Sequence, residues 1–258
     1  YEDNGQLYEK GNYTDGKKEG LWEAYYEKGP LWAKYNYKDG KEDGLWEWYF
    51  ENGQLWRKGT FQDQKEETWE SYNANGQLSF KNGFKDGRKN GLSEWYWDNG
   101  NLGSKGIYRD DKKDGVWEYY HNTGQLRKKG NYKDGKTDGL WRFYNQNGQL
   151  TGKGIYKDNK QEGLWEVYKD GQLIGKGNLN DGKEQGFWEY YWTNGQFEAK
   201  GNYQNDKPEG PWEYFHSTGQ LSRKGNLKDG KNDGLWEYFD KDGSLEKTET
   251  YKNGVKVK

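Results

Sequence analysis

The sequence predicts an all-β protein: a single elongated, strongly twisted antiparallel meander sheet built from tandem β-hairpin repeats, a solenoid-like rod. Three observations lead there. A unit of 24 residues recurs about ten and a half times over residues 1–258. Each unit carries two glycine-containing turn signals. Between the turns lie runs of strand length, rich in Trp, Tyr and Leu, with no helical period. A fixed period of this length marks a stacked array in which each unit contacts its neighbours.

The unit reads NGQLYEKGNYTDGKKEGLWEAYYE at 4–27. Its first glycine returns as Gly5, Gly29, Gly53, Gly76, Gly100, Gly124, Gly148, Gly171, Gly195, Gly219 and Gly243, at steps of 24 or 23. No linker breaks the series, so residues 1–258 read as one continuous array. The Asn-Gly step predicts a two-residue hairpin turn. DGKxDG, as at Asp15 to Gly20, predicts a longer loop. About 21 strands follow. Two units are one residue short, near Gln64 and before Asp170-Gly171. Loops should absorb both losses, because a strand that loses one residue flips its faces.

Taking Asn52-Gly53 as the turn sets a register. Glu51 then faces Gln54, Tyr49 faces Trp56, Glu47 faces Lys58 and Trp46 faces Gly59. The same step places Glu23 opposite Lys34, Glu118 opposite Lys129 and Glu213 opposite Lys224. The position of Lys58 is lysine in ten units of ten, and its partner is acidic in nine. Opposite charges across a strand pair stabilise it, which supports the register. Glu166–Lys176 is the least secure pair, lying beside a shortened hairpin. Alternation puts Trp46, Trp48, Phe50, Leu55, Gly59 and Phe61 on a core face. Leu45, Glu47, Tyr49, Lys58 and Thr60 form the other face, a Glu–Lys ladder with a Tyr stripe. Gly59 opposite a Trp leaves room for an indole over the backbone. Arg142 interrupts the acidic row and faces Lys153, either by drift or as a contact for a small anion or carboxylate.

Composition supports a folded chain. Aromatic residues make up 18%, and their burial replaces a missing aliphatic core. Forty-one basic and 43 acidic residues nearly cancel, which leaves no footprint for nucleic acid. No apolar run is long enough for a transmembrane segment. There is no Cys, hence no thiol chemistry. No cofactor or metal is implied, because the DGKxDG loops lack the alternating carboxylates of a calcium loop. His121 and His216, the two histidines, fall four units apart and cannot share a catalytic site. The expectation is a non-enzyme.

The run KGNYKDGKTDGLWRFYNQNGQL, 129–150, resembles the MORN repeat in its second, bacterial variant, that of the YwqK-type antitoxins. Gly130, Tyr132, Gly135, Lys136, Gly139, Trp141, Tyr144 and Asn147-Gly148 carry the resemblance, which extends over nearly the whole chain. It implies one hairpin per repeat and a scaffold or partner-binding role. The third unit departs from the pattern, lacking loop glycines between Asp63 and Thr68. The fourth has Ser93 in place of Trp. Irregular packing is expected there.

The functional expectation is a repeat scaffold that binds a protein partner through its aromatic or Glu–Lys face. The alternatives are a carbohydrate- or cell-wall-binding surface protein and a toxin-neutralising immunity protein. Candidate contact residues are Trp48, Phe50, Trp95, Trp97, Tyr119, Phe143, Tyr190, Trp192, Tyr214, Arg142 and Lys153. The location expected is extracellular or at the cell surface, with the cytoplasm as alternative. Self-association is the risk at the ends. Val255 and Val257 alternate with Lys256 and Lys258, a charged device against edge pairing. By contrast, Gln6 to Tyr13 should be a nearly bare edge, which implies a cut through a longer array or a docked neighbour.

Overall fold

The protein is described by a computed structural model over residues 5–62 and 65–257. Tyr1, Asp63 and Gln64 lie outside the described residues. There are 23 strands, antiparallel and assigned to one sheet, and no helix among the described residues. The all-β meander therefore stands. The count exceeds 21 because Asp43 separates Lys41–Glu42 from Gly44–Tyr49, and because Val255–Lys256 pairs with Leu245–Lys252. The first strand is Glu9–Thr14 and so begins later than Gln6.

Contacts divide the chain into two compact units, 1–126 with 132–135, and 127–131 with 136–258. In the first, Trp22, Ala24, Ala33, Tyr35 and Trp46 form a buried cluster. In the second, Ala199, Trp212, Leu227 and Trp236 do so. Burial of indoles, rather than of aliphatic side chains, makes both cores.

The two turn types are the reverse of the sequence expectation. The tight two-residue turn is the Asp-Gly of DGK. Thr14 pairs with Lys17 across Asp15 and Gly16, whose φ values are 49° and 76°. Two consecutive left-handed residues make the turn whose twist matches the flanking strands. At Asn52-Gly53 only the glycine is left-handed, with φ 81°. Gly53 N–H donates to Phe50 O at 2.8 Å, and Phe50 N–H to Gln54 O at 2.8 Å. The loop therefore has three residues, a turn followed by a left-handed glycine. Asn52 Oδ1 accepts the Gln54 N–H at 3.0 Å, which holds it. The shortened hairpin at Asp170-Gly171 is the exception. There Lys169 pairs with Gln172, and the lost residue converts the loop to the two-residue form.

The longer loop shifts the register by one, so Tyr49 pairs with Leu55, not Trp56, and Glu51 does not face Gln54. A β-bulge at Trp56 then restores it: Trp48 pairs with Arg57, Glu47 with Lys58 and Trp46 with Gly59. The extra loop residue and the bulge offset each other, so Glu47 keeps the predicted pairing with Lys58. The bulge also moves Leu55 to the Tyr face. The equivalent Phe197 stacks on Tyr191 at 5.1 Å. Glu166–Lys176 holds its predicted register.

Candidate binding surface

On the core face each indole lies over the strand before it. Trp165 covers Gly154 so closely that a methyl group there would fall 2.1 Å from the ring. Gly11, Gly106, Gly130, Gly177, Gly201 and Gly225 are covered in the same way. The glycine accommodates the Trp of the following strand, so Gly59 lies under Trp69 and not under Trp46.

Why the indole settles there follows from a second bulge. Gly154 pairs with Trp165 but Ile155 with Glu162, so Gly163 and Leu164 have no partner on that side. The Ile155 carbonyl is released from the ladder and accepts Trp165 Nε1–H at 3.2 Å. Trp46, Trp117, Trp141, Trp188, Trp212 and Trp236 make the same bond, at 3.1–3.2 Å. In the shortened third repeat Thr60 pairs directly with Thr68. The two-residue bulge is missing, and Trp69 Nε1 is buried without a hydrogen-bond partner.

Two repeats lack the glycine. At Tyr35 the ring is accommodated because Ala24 and Ala33 flank it; Trp46 tilts against Tyr35 at 4.7 Å. At Asn82 the Trp is lost as well. Ser93 stands in its place and donates from Oγ to Asn82 Oδ1 at 2.7 Å. A gap of about 280 Å3 opens beside them, walled by Phe80, Trp95, Ser104, Tyr108 and Trp117, with the charged Lys89, Glu94 and Lys113 also on its lining.

The opposite face carries the ladder. In register, Lys34 lies between Glu23 and Glu47, and Lys58 between Glu47 and Glu70. The ion pairs form mainly across the Asp-Gly turn rather than across the Asn-Gly hairpin. Lys10–Glu23, Lys58–Glu70, Lys105–Glu118, Lys153–Glu166, Lys176–Glu189, Lys200–Glu213 and Lys224–Glu237 span 2.7–3.1 Å. Lys81–Glu70, at 3.0 Å, follows the hairpin pairing predicted from sequence. Glu47 takes its bond from the Tyr49 hydroxyl at 2.8 Å. Tyr25, Tyr72, Tyr96, Tyr120 and Tyr168 donate likewise to the Glu two residues earlier. Burial works against the Glu70 charge, but hydrogen bonds from Tyr72, Lys58 and Lys81 outweigh it and hold its carboxyl at about 2. Burial and the Glu94 hydrogen bond push the Tyr96 hydroxyl up to about 12.

Outside the ladder this face carries exposed apolar side chains that alternate with polar ones on the paired strands, as Leu21 with Asn36 and Leu45 with Thr60. Leu21, Leu45, Leu92 and Val116 in the first unit are 44–62% exposed, as are Leu140, Leu164, Phe187 and Leu235 in the second at 42–55%. Ile107 pairs with Leu92, and Ile155 with Leu140, both exposed as well. Sequence reasoning passed over this row. Alternation alone places the residue before each Trp on the ladder face, as at Leu45. Its recurrence as an apolar residue in every repeat but the one with Thr68 is the available signal.

Most of the candidate contact residues prove to be internal contacts. Trp48 lies 5.0 Å from Trp69, and Phe143 6.1 Å from Trp165. Phe50 packs on Trp56 at 6.1 Å. Trp97 and Trp192 donate to the Tyr120 and Phe215 carbonyls at 3.3 and 3.2 Å, tying adjacent hairpins together. The Tyr119 hydroxyl meets that of Tyr132 at 2.9 Å, and Tyr190 donates to Glu184 at 3.2 Å. Tyr214 stacks on Trp212, with Arg223 above it. Arg142 pairs in register with Lys153, whose ammonium goes to Glu166. Lys129 lies in the strand Leu126–Lys133. Trp95, 40% exposed, stands open at the gap. No group of three or more metal-ligating side chains occurs among the described residues.

The sequence pattern of the MORN repeat variant matches residues 18–39, 42–63, 89–110, 113–134, 137–158, 208–229 and 232–253, more than half of the chain. The chain belongs to the MORN repeat variant family. A MORN match spans a Trp-position strand, the turn after it and its hairpin partner, so the indole-over-glycine seat joins successive repeats, as Gly130 of 113–134 with Trp141 of 137–158. No curated protein matches. Among solved structures the chain is similar to an S. aureus TarM mutant in complex with fondaparinux, alpha-GlcNAc-glycerol and UDP. The identity is 14% and the TM-score 0.28, over 37% of this chain and 19% of that one. It is also similar to a GtfA/B complex bound to UDP and GlcNAc, at 12% identity and TM-score 0.21, over 43% and 22%. The chain thus spans about a fifth of the length of these structures. MORN repeats are generally associated with protein or membrane binding. No helix among the described residues is long and apolar enough to cross a membrane.

Proposed function

We propose that this MORN array is a non-enzymatic scaffold that binds a protein partner through its ladder face. The observation that supports this reading is the exposed row of Leu21, Leu45, Leu92 and Val116, continued in kind by Leu140, Leu164, Phe187 and Leu235. Large apolar side chains left exposed at a fixed repeat along one charged face support an interaction site. The paired Glu–Lys rows beside it are nearly neutral, so they fix register on a partner more than they attract one. The aromatic face is consumed by internal packing and offers less.

A photo-crosslinking residue at Leu92 or Leu140, introduced into the chain in native extract, tests this. Discrete adducts to one or a few proteins are expected. They should fade when Leu45 and Val116, or Leu164 and Phe187, are changed to Ser. Equal labelling from Trp56, on the other side of the sheet and also exposed, would refute the assignment of the face.

A further inference from the structure

Three departures from the repeat converge on one place in the first unit. Asn82 replaces the seat glycine, Ser93 replaces the indole, and Gly103 stands where other repeats carry a bulge side chain such as Trp56 or Arg127. Their effects fit together. Ser93 and Asn82 satisfy each other at 2.7 Å. Gly103 lets Trp95 lie against the backbone, since a methyl group there would fall 2.1 Å from its ring. Trp95 is further held by Trp97, edge to face at 4.5 Å. A mere loss of the Trp would leave a dry apolar hole. Here the floor is polar and one wall is a fixed, partly exposed indole.

We propose that this gap binds a hydroxylated six-membered ring, a single sugar unit. The Asn82 side chain occupies the place where glycine elsewhere admits an indole, so an aromatic ring in the neighbours' pose is excluded. Asn82 lines the gap, and the Ser93 bond falls on its Oδ1 rather than on its Nδ2. It offers donors to ring hydroxyls, as Ser104 does on the wall. Trp95 presents an apolar face to the C–H side of the ring, and its exposure leaves it able to stack. A volume of about 280 Å3 lies just below the range of ligand sites, roughly 300–1,000 Å3, which suits one ring and no more. This site lies on the aromatic face and is separate from the partner surface proposed above.

Nitrogen-labelled protein, with the indole N–H signals of Trp95 and Trp117 identified by Trp→Phe variants, provides the readout. The probes are methyl glucoside, methyl mannoside, N-acetylglucosamine and maltotriose, with sorbitol and N-acetyltryptophanamide as controls. At least one ring sugar should shift both signals saturably. The shift should weaken about tenfold or more, about 1.4 kcal/mol, in Trp95→Ala and in the double variant Asn82→Gly, Ser93→Trp. The double variant restores the pair found in other repeats, so it should fold and melt no lower than the parent. A trisaccharide that binds more tightly than the glycosides identifies a unit within a glycan; equal affinity identifies a free monosaccharide. No shift with any sugar, an equal shift with acyclic sorbitol, binding of N-acetyltryptophanamide alone, or undiminished binding in the filled variant would overturn the proposal.

Discussion

A glycine inside a strand ordinarily weakens it, yet this chain keeps one in most repeats because an indole needs the space. The cost of removing that space is a direct test. Gly154→Ala drives a methyl group to 2.1 Å from Trp165, whereas at Gly152 the nearest atom would be an ordinary 3.5 Å away. Overpacking should make Gly154→Ala cost about 3 kcal/mol and Gly152→Ala less than about 1 kcal/mol in urea unfolding. The indole N–H separates two further sites. Trp165→Phe leaves the Ile155 carbonyl without its donor, whereas Trp69 has no acceptor to lose. Trp165→Phe should therefore cost about 1 kcal/mol more than Trp69→Phe. Equal melting-point losses would show that the bond contributes nothing. The first contrast could not be read from the sequence; the second left a trace, because the Gly and its Trp are 11 residues apart at Gly154–Trp165 and 10 apart at Gly59–Trp69. What differs is the bulge at Gly163-Leu164, a matter of backbone φ.

At the level of strands and turns, the centre of each strand pair was legible and its ends were not. Glu47 and Lys58 were located because charge recurs there in nearly every unit. The turns were exchanged because Asn-Gly serves both a two-residue turn and a three-residue loop, and in each the glycine is left-handed. The bulge at Trp56 carries no residue signature, since Trp32, Ser79, Arg127 and Glu198 occupy the same place. Consequently the ion pairs cross the other turn. Lys153→Met should raise the titration of Glu166 more than Lys176→Met does, because Lys153 is at 2.7 Å and Lys176 pairs with Glu189. Carboxyl NMR of the two variants decides, and the reverse order would restore the hairpin pairing. These carboxyls also set an acid limb. Glu70 is lowered from 4.5 to about 2. A depressed folded value means that its stabilisation is full above about pH 4.5 and is lost as pH falls towards 2. Glu70→Gln should flatten the melting temperature across that window, with the largest loss against the parent at pH 7 and the two proteins converging as pH falls towards 2.

For the molecule as a whole, the hydrogen bonds and ring contacts described here join each repeat mainly to the next. The Trp97 and Trp192 bonds reach 23 residues ahead, and the indole bonds reach 10 residues back. Stability in such a chain is a sum over repeats and their interfaces, so a whole repeat should be removable where half of one is not. Deleting residues 184–207 joins Lys183 to Pro208, which restores the Lys207–Pro208 step. The strand before the cut, Gln172–Asn180, then meets Lys183 joined to Pro208–Phe215, which presents Trp212 in the place of Trp188. Gly177 would lie under Trp212, Lys176 would face Glu213, and the faces would be unchanged. Deleting only 184–195 joins a turn to a glycine strand. Two successive strands would then offer Gly177 and Gly201 with no indole between them, and the direction of every later strand would invert. The 24-residue deletion should unfold in a single cooperative transition, with its m-value about a tenth lower in proportion to the surface lost. The 12-residue deletion should lose cooperativity or aggregate through its mispaired edges. Circular dichroism with urea titration of both chains measures this, and two equally cooperative transitions would mean that strand order does not depend on the indole seat.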